Sequence, residues 1–547
     1  MVKALSTGEG EDHGKTWRKR RNSTGGLYSH YVLIVLMIVY IFNFIDRNIL
    51  SILAEDIKAD LGITDAQMGF LYGTVFAVFY AVFGIPLARF ADVWTRRSLI
   101  SIGLGFWSLM TAASGLARSF TMLAACRIGV GIGEASASPS AYSMLADYYP
   151  PHMRATVIAI YAAGVYIGAG IGIFLGGYIL DWWATTYPVD PPFGLKGWQA
   201  AFMAVGIPGI LMALWVRTLK EPVRGITEGI VAEKHPAPFK LLGEELLSVI
   251  PPFNIKPLLG HPRELRFNFV AATGIALIAY LLILLTGSIA QWIATGIGAY
   301  VTVSWIQSLK VKDPATYGMM FKSKAFIYTM LAFPTTSFVG YGAGFWVPPY
   351  LLRVYEVSPA EIGLYIGLGS ATGGFLGITL GGILADYLKS KVAWGRLVLG
   401  YVSIIGTIPL LFALLYSQSL VAAFLLNFFV TIPAACGGGV PPSTASDLVM
   451  PRMRAVAGAF YILLNTFIGL ALGPYVMGEL SDFFLSTGLS DSEALRMAIL
   501  VSMLTFIPAL IFLFLAQRHL AQDESSRIER AKALGEKFDL QEAQRAD

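Results

Sequence analysis

Uncharged apolar runs of around 20 residues recur along the whole 547-residue chain. This feature restricts the fold more than any other. A run of about 20 apolar residues crosses the hydrocarbon of a bilayer as a helix. Charged residues make up only 14% of the chain, against about 25% in a typical soluble domain. The sequence therefore predicts an all-α polytopic membrane protein. Fourteen spans are read near 28–53, 66–90, 98–117, 121–146, 155–180, 198–217, 267–286, 288–308, 325–352, 361–386, 396–416, 419–448, 455–480 and 494–517. The stretch 267–308 holds 42 residues without a charge, which is two helices rather than one. Cys126 and Cys436 both fall inside predicted spans, so no disulfide framework is indicated. The first 27 residues, with Lys19, Arg20 and Arg21, are too polar for a cleaved signal peptide.

The basic residues alternate from side to side. Arg18–Arg21, Arg96, Arg97, Arg154, Lys310, Lys312, Lys389, Lys391, Arg452 and Arg454 fall on one side, and acids such as Glu55, Asp56, Asp65 and Asp181 on the other. The positive-inside rule then makes both termini cytoplasmic. The net charge of +5 is spread over short loops and tails, which excludes a nucleic-acid partner. Within the polar loop 220–266, the stretch 238–253 reads equally well as an interfacial helix or as a plain linker. The charged tail after Arg518 reads as a solvated cytoplasmic helix. An internal repeat is also visible: DYYPPHMRA (147–155) aligns with DLVMPRMRA (447–455) at an offset of 300. The predicted organisation is a tail (1–27), a six-helix bundle (28–219), a linker with an inserted hairpin (220–324, hairpin 267–308), a second bundle (325–517) and a tail (518–547).

These residues resemble the major facilitator superfamily. Its hallmark after the second span survives as Gly382, Leu384, Ala385 and Asp386 in the second half. The first half keeps Asp92, Arg96 and Arg97, with Ala88 and Thr95 in place of the glycines. An acid at a helix end near arginines forms a latch that holds one state shut. The latch set is Asp92, Arg96, Arg97, Asp147, Arg154, Asp386, Asp447 and Arg454; the arginines also enforce topology. Gly164, Gly168, Gly172 and Gly176 make one smooth face, with a counterpart in Gly469, Gly473, Pro474 and Gly478. These faces are expected to pack one half against the other.

Two further segments narrow the likeness. FNFIDRNIL (42–50) places Asp46 and Arg47 as the only charges between Tyr31 and Leu53, and RIGVGIGEA begins at Arg127. Together they are similar to the spinster branch of the superfamily. A charge at the centre of a membrane helix costs about 2.5–3.5 kcal/mol on insertion scales, so such groups mark function by default. Arg127 and Glu134 are two helical turns apart and face one way, so all four charges are expected to meet inside the first half. Asp46 and Glu134 are read as proton carriers, with Arg47 and Arg127 as gates and anion binders. A static ion-pair knot is the competing reading. For a substrate cavity the second half offers Tyr341, Phe345, Trp346, Asn427, Thr431 and Asn465.

The expected protein is a proton-coupled secondary transporter working by alternating access. It would be a monomer in a bacterial inner membrane, in contact with membrane lipids. It would need no cofactor or metal beyond the coupling proton. The resemblance implies an amphipathic lipid-like anion of lysophospholipid or sphingosine-phosphate type as cargo. A small organic anion such as a sugar acid, or gradient-independent lipid scrambling, are the alternatives. The histidines are scattered and no nucleophile–base pair or nucleotide module is seen, so an enzyme is not expected.

Overall fold

The computed structural model describes residues 25–150, 153–225, 227 and 235–536. The basic cluster Arg18–Arg21, His152 and the last eleven residues of the tail lie outside them. Every regular element among the described residues is a helix. A chain inside lipid must satisfy its backbone groups within each segment, and helices do so.

The first bundle comprises α1 (Leu27–Ile52), α2 (Asp65–Val93), α3 (Arg96–Ser114), α4, α5 (Arg154–Thr186) and α6 (Gly197–Arg217). Helix α4 runs in two pieces, Phe120–Glu134 and Ala137–Tyr148. An amphipathic helix α7 (Pro238–Val249) follows, then a hairpin of α8 (Pro262–Thr286) and α9 (Ile289–Lys312). The second bundle comprises α10 (Lys324–Val354), α11 (Pro359–Lys391), α12 (Gly395–Leu415), α13 (Leu420–Leu448), α14 (Pro451–Ser486) and α15 (Asp491–Ser525). Eleven of these helices are long and apolar enough to cross a membrane. Helices α3, α4 and α10 join them in the bundles, their polar residues such as Ser108, Arg127 and Thr329 turned inward. The helices thus follow the order of the fourteen expected spans, eleven of them long and apolar enough to cross a membrane, and the stretch 238–249 is helical rather than a plain linker.

The bundles meet along two seams, α2 with α14 and α5 with α11. Both seams are tight at the end of the molecule away from the termini. There Arg353 of α10 reaches Glu55 and Asp65 of the first bundle, each at 2.7 Å. Asp482 accepts from the amides of Asp65 and Ala66, and Asp181 from that of Ala360. Farther in, Ser51 donates to the Phe345 carbonyl and Thr74 to the Ala471 carbonyl. Toward the terminus end, hydrogen bonds and ion pairs between the two bundles cease among the described residues. The bundles therefore stand apart at that end.

Two corrections concern packing. The face Gly164, Gly168, Gly172 and Gly176 does not join the halves. A Cβ on Gly168 would lie 2.5 Å from the Ile41 carbonyl, and one on Gly172 2.8 Å from that of Ile45, so this face seats α1 within its own bundle. Helical spacing defines a smooth face but not the neighbour it meets. The α5–α11 seam uses Gly170 and Gly177 instead, against Gly367 and Pro359. In α14 the work is divided: Gly473 meets Phe338 of α10, while Gly478 meets Asp65 of α2. The tail after Arg518 is not simply solvated either. Its last helix, α16 (Arg527–Ala533), is held to the chain by Arg530, which donates to the Met319 and Leu448 carbonyls; Arg452 binds Glu536 and Leu534 meets Gly318.

Candidate functional site: a charged centre in the first bundle

Helix α1 carries Asp46 and Arg47, and its seating on the α5 glycine face fixes their height and direction. Helix α4 supplies Arg127 and Glu134. Its glycines act as clearances: Gly131 leaves room for the Phe76 carbonyl of α2, and Gly133 for the Trp107 side chain of α3. The alternating glycines clamp α4 between α2 and α3. The first helical piece of α4 ends at Glu134 itself.

The four charges do converge, but unequally. Arg47 binds Glu134 at 2.8 Å and reaches Asn43 at 3.4 Å. Its guanidinium also lies over the rings of Phe44, Phe76 and Tyr80. Arg127, fully buried, makes long hydrogen bonds of 3.4 Å to the Leu71 and Asp46 backbone carbonyls and lies over the Phe76 ring. The Asp46 carboxylate is 1% exposed and neither oxygen has a hydrogen-bond partner. Thr111 and Trp107 of α3 face it, together with Glu134 and Arg127. The arrangement is one ion pair beside a solitary carboxylate, rather than a closed four-membered knot.

Tyrosines surround this centre. Tyr40 stacks on Tyr161 with ring centroids 4.3 Å apart, and Tyr142 meets Tyr161 edge-on. Tyr80 and Tyr341 both face Arg47, the second from the opposite bundle. Tyr40, Tyr80, Tyr142 and Tyr341 stay half-buried at mid-depth, so they line the gap between the bundles. The sequence reading missed the first three. Tyr40 lies seven residues before Arg47 on one helix, and that spacing was the available signal.

The other candidates are dispersed. Phe345 stacks on Tyr72 across the seam at 4.3 Å, and Trp346 donates to the Pro474 carbonyl; both are fully buried in helix contacts. Asn427 donates to Ser370, Thr431 donates to the Asn427 carbonyl, and the Asn465 side-chain oxygen is buried without a partner. The latch residues pair within each half. Arg96 binds Asp147 at 2.5 Å and Glu221 at 2.9 Å. Arg97 donates to the Leu219 carbonyl, and the Asp92 carbonyl accepts from Arg224. In the second half Arg396 binds Asp447 at 2.6 Å and Asp386 at 3.0 Å. Arg154 and Arg454 donate to the carbonyls of Ala146 and Ser446. Arg396 was missed, although it stands 300 residues after Arg96, the repeat offset itself. Glu221 and the far-end cation Arg353 were likewise not read as site residues.

Comparison with known proteins decides the family. A profile of the Major Facilitator Superfamily matches residues 36–474. The chain belongs to this superfamily. It is 24% identical to an MFS-type efflux pump of Mycolicibacterium smegmatis over 89% of its length and 92% of the pump's. It is 25% identical to protein spinster homolog 1 of Xenopus tropicalis, over 87% of this chain and 77% of that one. Among solved structures it is similar to a bacterial homologue of the human lysosomal transporter spinster, crystallised inward-facing and occupied. The TM-score there is 0.67 at 27% identity, covering 91% of this chain and 98% of that one. The chain is an integral membrane transporter of spinster type, not an enzyme.

Proposed function

We propose that this transporter couples proton movement to the passage of an amphipathic, lipid-like anion by alternating access. The observation that carries the reading is the Asp46 carboxylate, sealed in the first bundle without a hydrogen-bond partner. A fixed charge left so would be costly, whereas a carboxyl that takes up and releases a proton has reason to be there. Glu134 is the second carrier. It is held by Arg47 in a buried pair, and Tyr80 beneath the same guanidinium is half-buried, so an anion that reaches Arg47 would compete with Glu134 for it. That exchange frees Glu134 to be protonated and links cargo to proton.

The tyrosine-lined gap suits a ligand with an anionic head and an apolar body. The lipid-like cargo is supported by the likeness to spinster proteins. Both termini are placed in the cytoplasm on the strength of the basic residues at that end, which makes the present state inward-facing. The monomer and the bacterial plasma membrane belong to the same reading. The test is uptake in proteoliposomes of lysophospholipid, sphingosine phosphate and a sugar acid, with an internal pH dye. Cargo-dependent proton flux that Glu134→Gln abolishes supports the reading. Lipid movement that ignores the gradient contradicts it.

A further inference from the structure

The inserted hairpin sits at one of the two seams. Helices α2 and α14 touch directly from the far end inward, where Gly73 lies under the Leu470 carbonyl and Thr74 bonds to Ala471. At this crossing both helices loosen into π turns, Phe70–Thr74 and Asn465–Ala471. Toward the terminus end the two helices diverge, and α9 fills the space between them. Val301 of α9 joins Val78 and Val82 of α2 and Val249 of α7 in a small core of its own, with Phe467 of α14 packed against it. Gly298 is pressed so close to the Phe467 ring that no side chain fits there. Farther along, Trp305 stacks over Phe460 of α14. At the far end Trp292 meets Tyr475 edge-on.

Among the described residues the other seam has no such filling. Helices α5 and α11 touch from Gly177–Pro359 inward as far as Tyr166 against Gly374. Beyond that point α11 leaves Leu380, Gly382, Ile383 and Leu384 exposed.

The insertion is also fastened to both bundles. Helix α7 lies on α2, where Phe239 meets the rings of Phe90 and Trp94. Its other end is tied to the second bundle through Asp313 and Arg452, 2.6 Å apart. The hairpin is internally rigid. Asn268 donates to Gln307 at 2.7 Å and accepts from Tyr300 at 2.9 Å, a buried polar clasp of the kind that holds helices together in lipid.

We infer that α9 is a wedge that holds the terminus end of the transporter open, and that it must withdraw from between α2 and α14 for that end to close. The inference rests on the two bundles rocking in turn, as proposed above. Closure would bring Val78 and Val82 toward Phe467, and Val301 occupies that space. Contacts made in only one of two states bias the equilibrium toward it.

Two spin-label pairs read the two ends by pulsed electron resonance in liposomes. Thr218→Cys with Lys391→Cys spans the terminus end, and Ala184→Cys with Gln418→Cys spans the far end; the two native cysteines are buried. The wedge is thinned in Val301→Ala/Trp305→Leu. A second variant, Val78→Ala/Val82→Ala, thins the same contact while leaving the hairpin sequence untouched. In both, the ratio of terminus-open to far-open molecules should fall by about tenfold, the order expected when buried methyl groups that pack in one state are removed. A wild type that populates both states while both variants keep its ratio would overturn the wedge and leave rocking intact. If neither the wild type nor any variant ever separates at the far end, the rocking itself is wrong, and the wedge with it.

Discussion

Arg47 bears more of the site than any other residue. It neutralises Glu134 and occupies the face of three aromatic rings. Removing one partner of a buried ion pair typically costs about 3–5 kcal/mol, because the other charge is left alone. Arg47→Ala should therefore lower the melting temperature in detergent markedly, and adding Glu134→Gln should restore much of the loss. A double variant no more stable than Arg47→Ala alone would show that the pair is not the reason. Asp46→Asn should cost less. Its carboxylate accepts no hydrogen bond, and its charge faces Glu134 as well as Arg127, so the lost attraction and the relieved repulsion offset and stability should change little while cargo-driven proton flux disappears. The four charges were legible in the sequence because an unexplained charge inside an apolar helix stands out. Their pairing was not. Whether Asp46 or Glu134 takes the arginine depends on side-chain reach across helices α1 and α4, which spacing along one helix does not determine.

At the scale of helices, the far-end gate hangs on Arg353. It binds Glu55 and Asp65 and touches Asp491, with its side chain 4% exposed. Arg353→Ala should release the end that is now shut, so that the Ala184–Gln418 label pair separates in a larger share of molecules. Unchanged distances would mean that the helix contacts around Gly69 and Gly478 hold that end by themselves. The wedge anchor at Asp313 behaves differently with pH. Its hydrogen bonds from Arg452 hold the Asp313 carboxyl down at about 2. An acid depressed in the folded state contributes above its unfolded value, near 3.9, and is lost only as pH falls through about 2. Trp305 fluorescence, read against a Trp305→Phe background, should stay flat from pH 5 to 8, so any pH response of transport in that window arises elsewhere. Most helix starts were readable from the apolar runs, but several ends were not: α5, α11, α14 and α15 run on to Thr186, Lys391, Ser486 and Ser525, past the read limits of 180, 386, 480 and 517. The neighbours of the α5 glycines and the resting place of α16 were not, since both are decided by which distant helix arrives. Arg396 is an instructive omission: the repeat offset pointed to it, and only the structure shows it binding both Asp386 and Asp447.

For the whole molecule, the two bundles are pseudo-equivalent in their terminus-end ion pairs yet differ in where their buried charges lie. Arg96 with Asp147 corresponds to Arg396 with Asp447 at the repeat offset, so each half keeps its own rigid base. The buried Arg47–Glu134 pair lies in the first bundle, and the inserted hairpin packs at the α2–α14 seam. On the reading proposed above, protonation bears on the gap from the first bundle, and one seam carries an added barrier to closure. The measurement that tests the central claim most directly is internal pH in proteoliposomes as an amphipathic anion is added outside. Wild type should carry protons with the cargo, Glu134→Gln and Asp46→Asn should each carry none, and Trp305→Leu should still be coupled. Equal proton flux in wild type and both carboxylate variants would contradict the account.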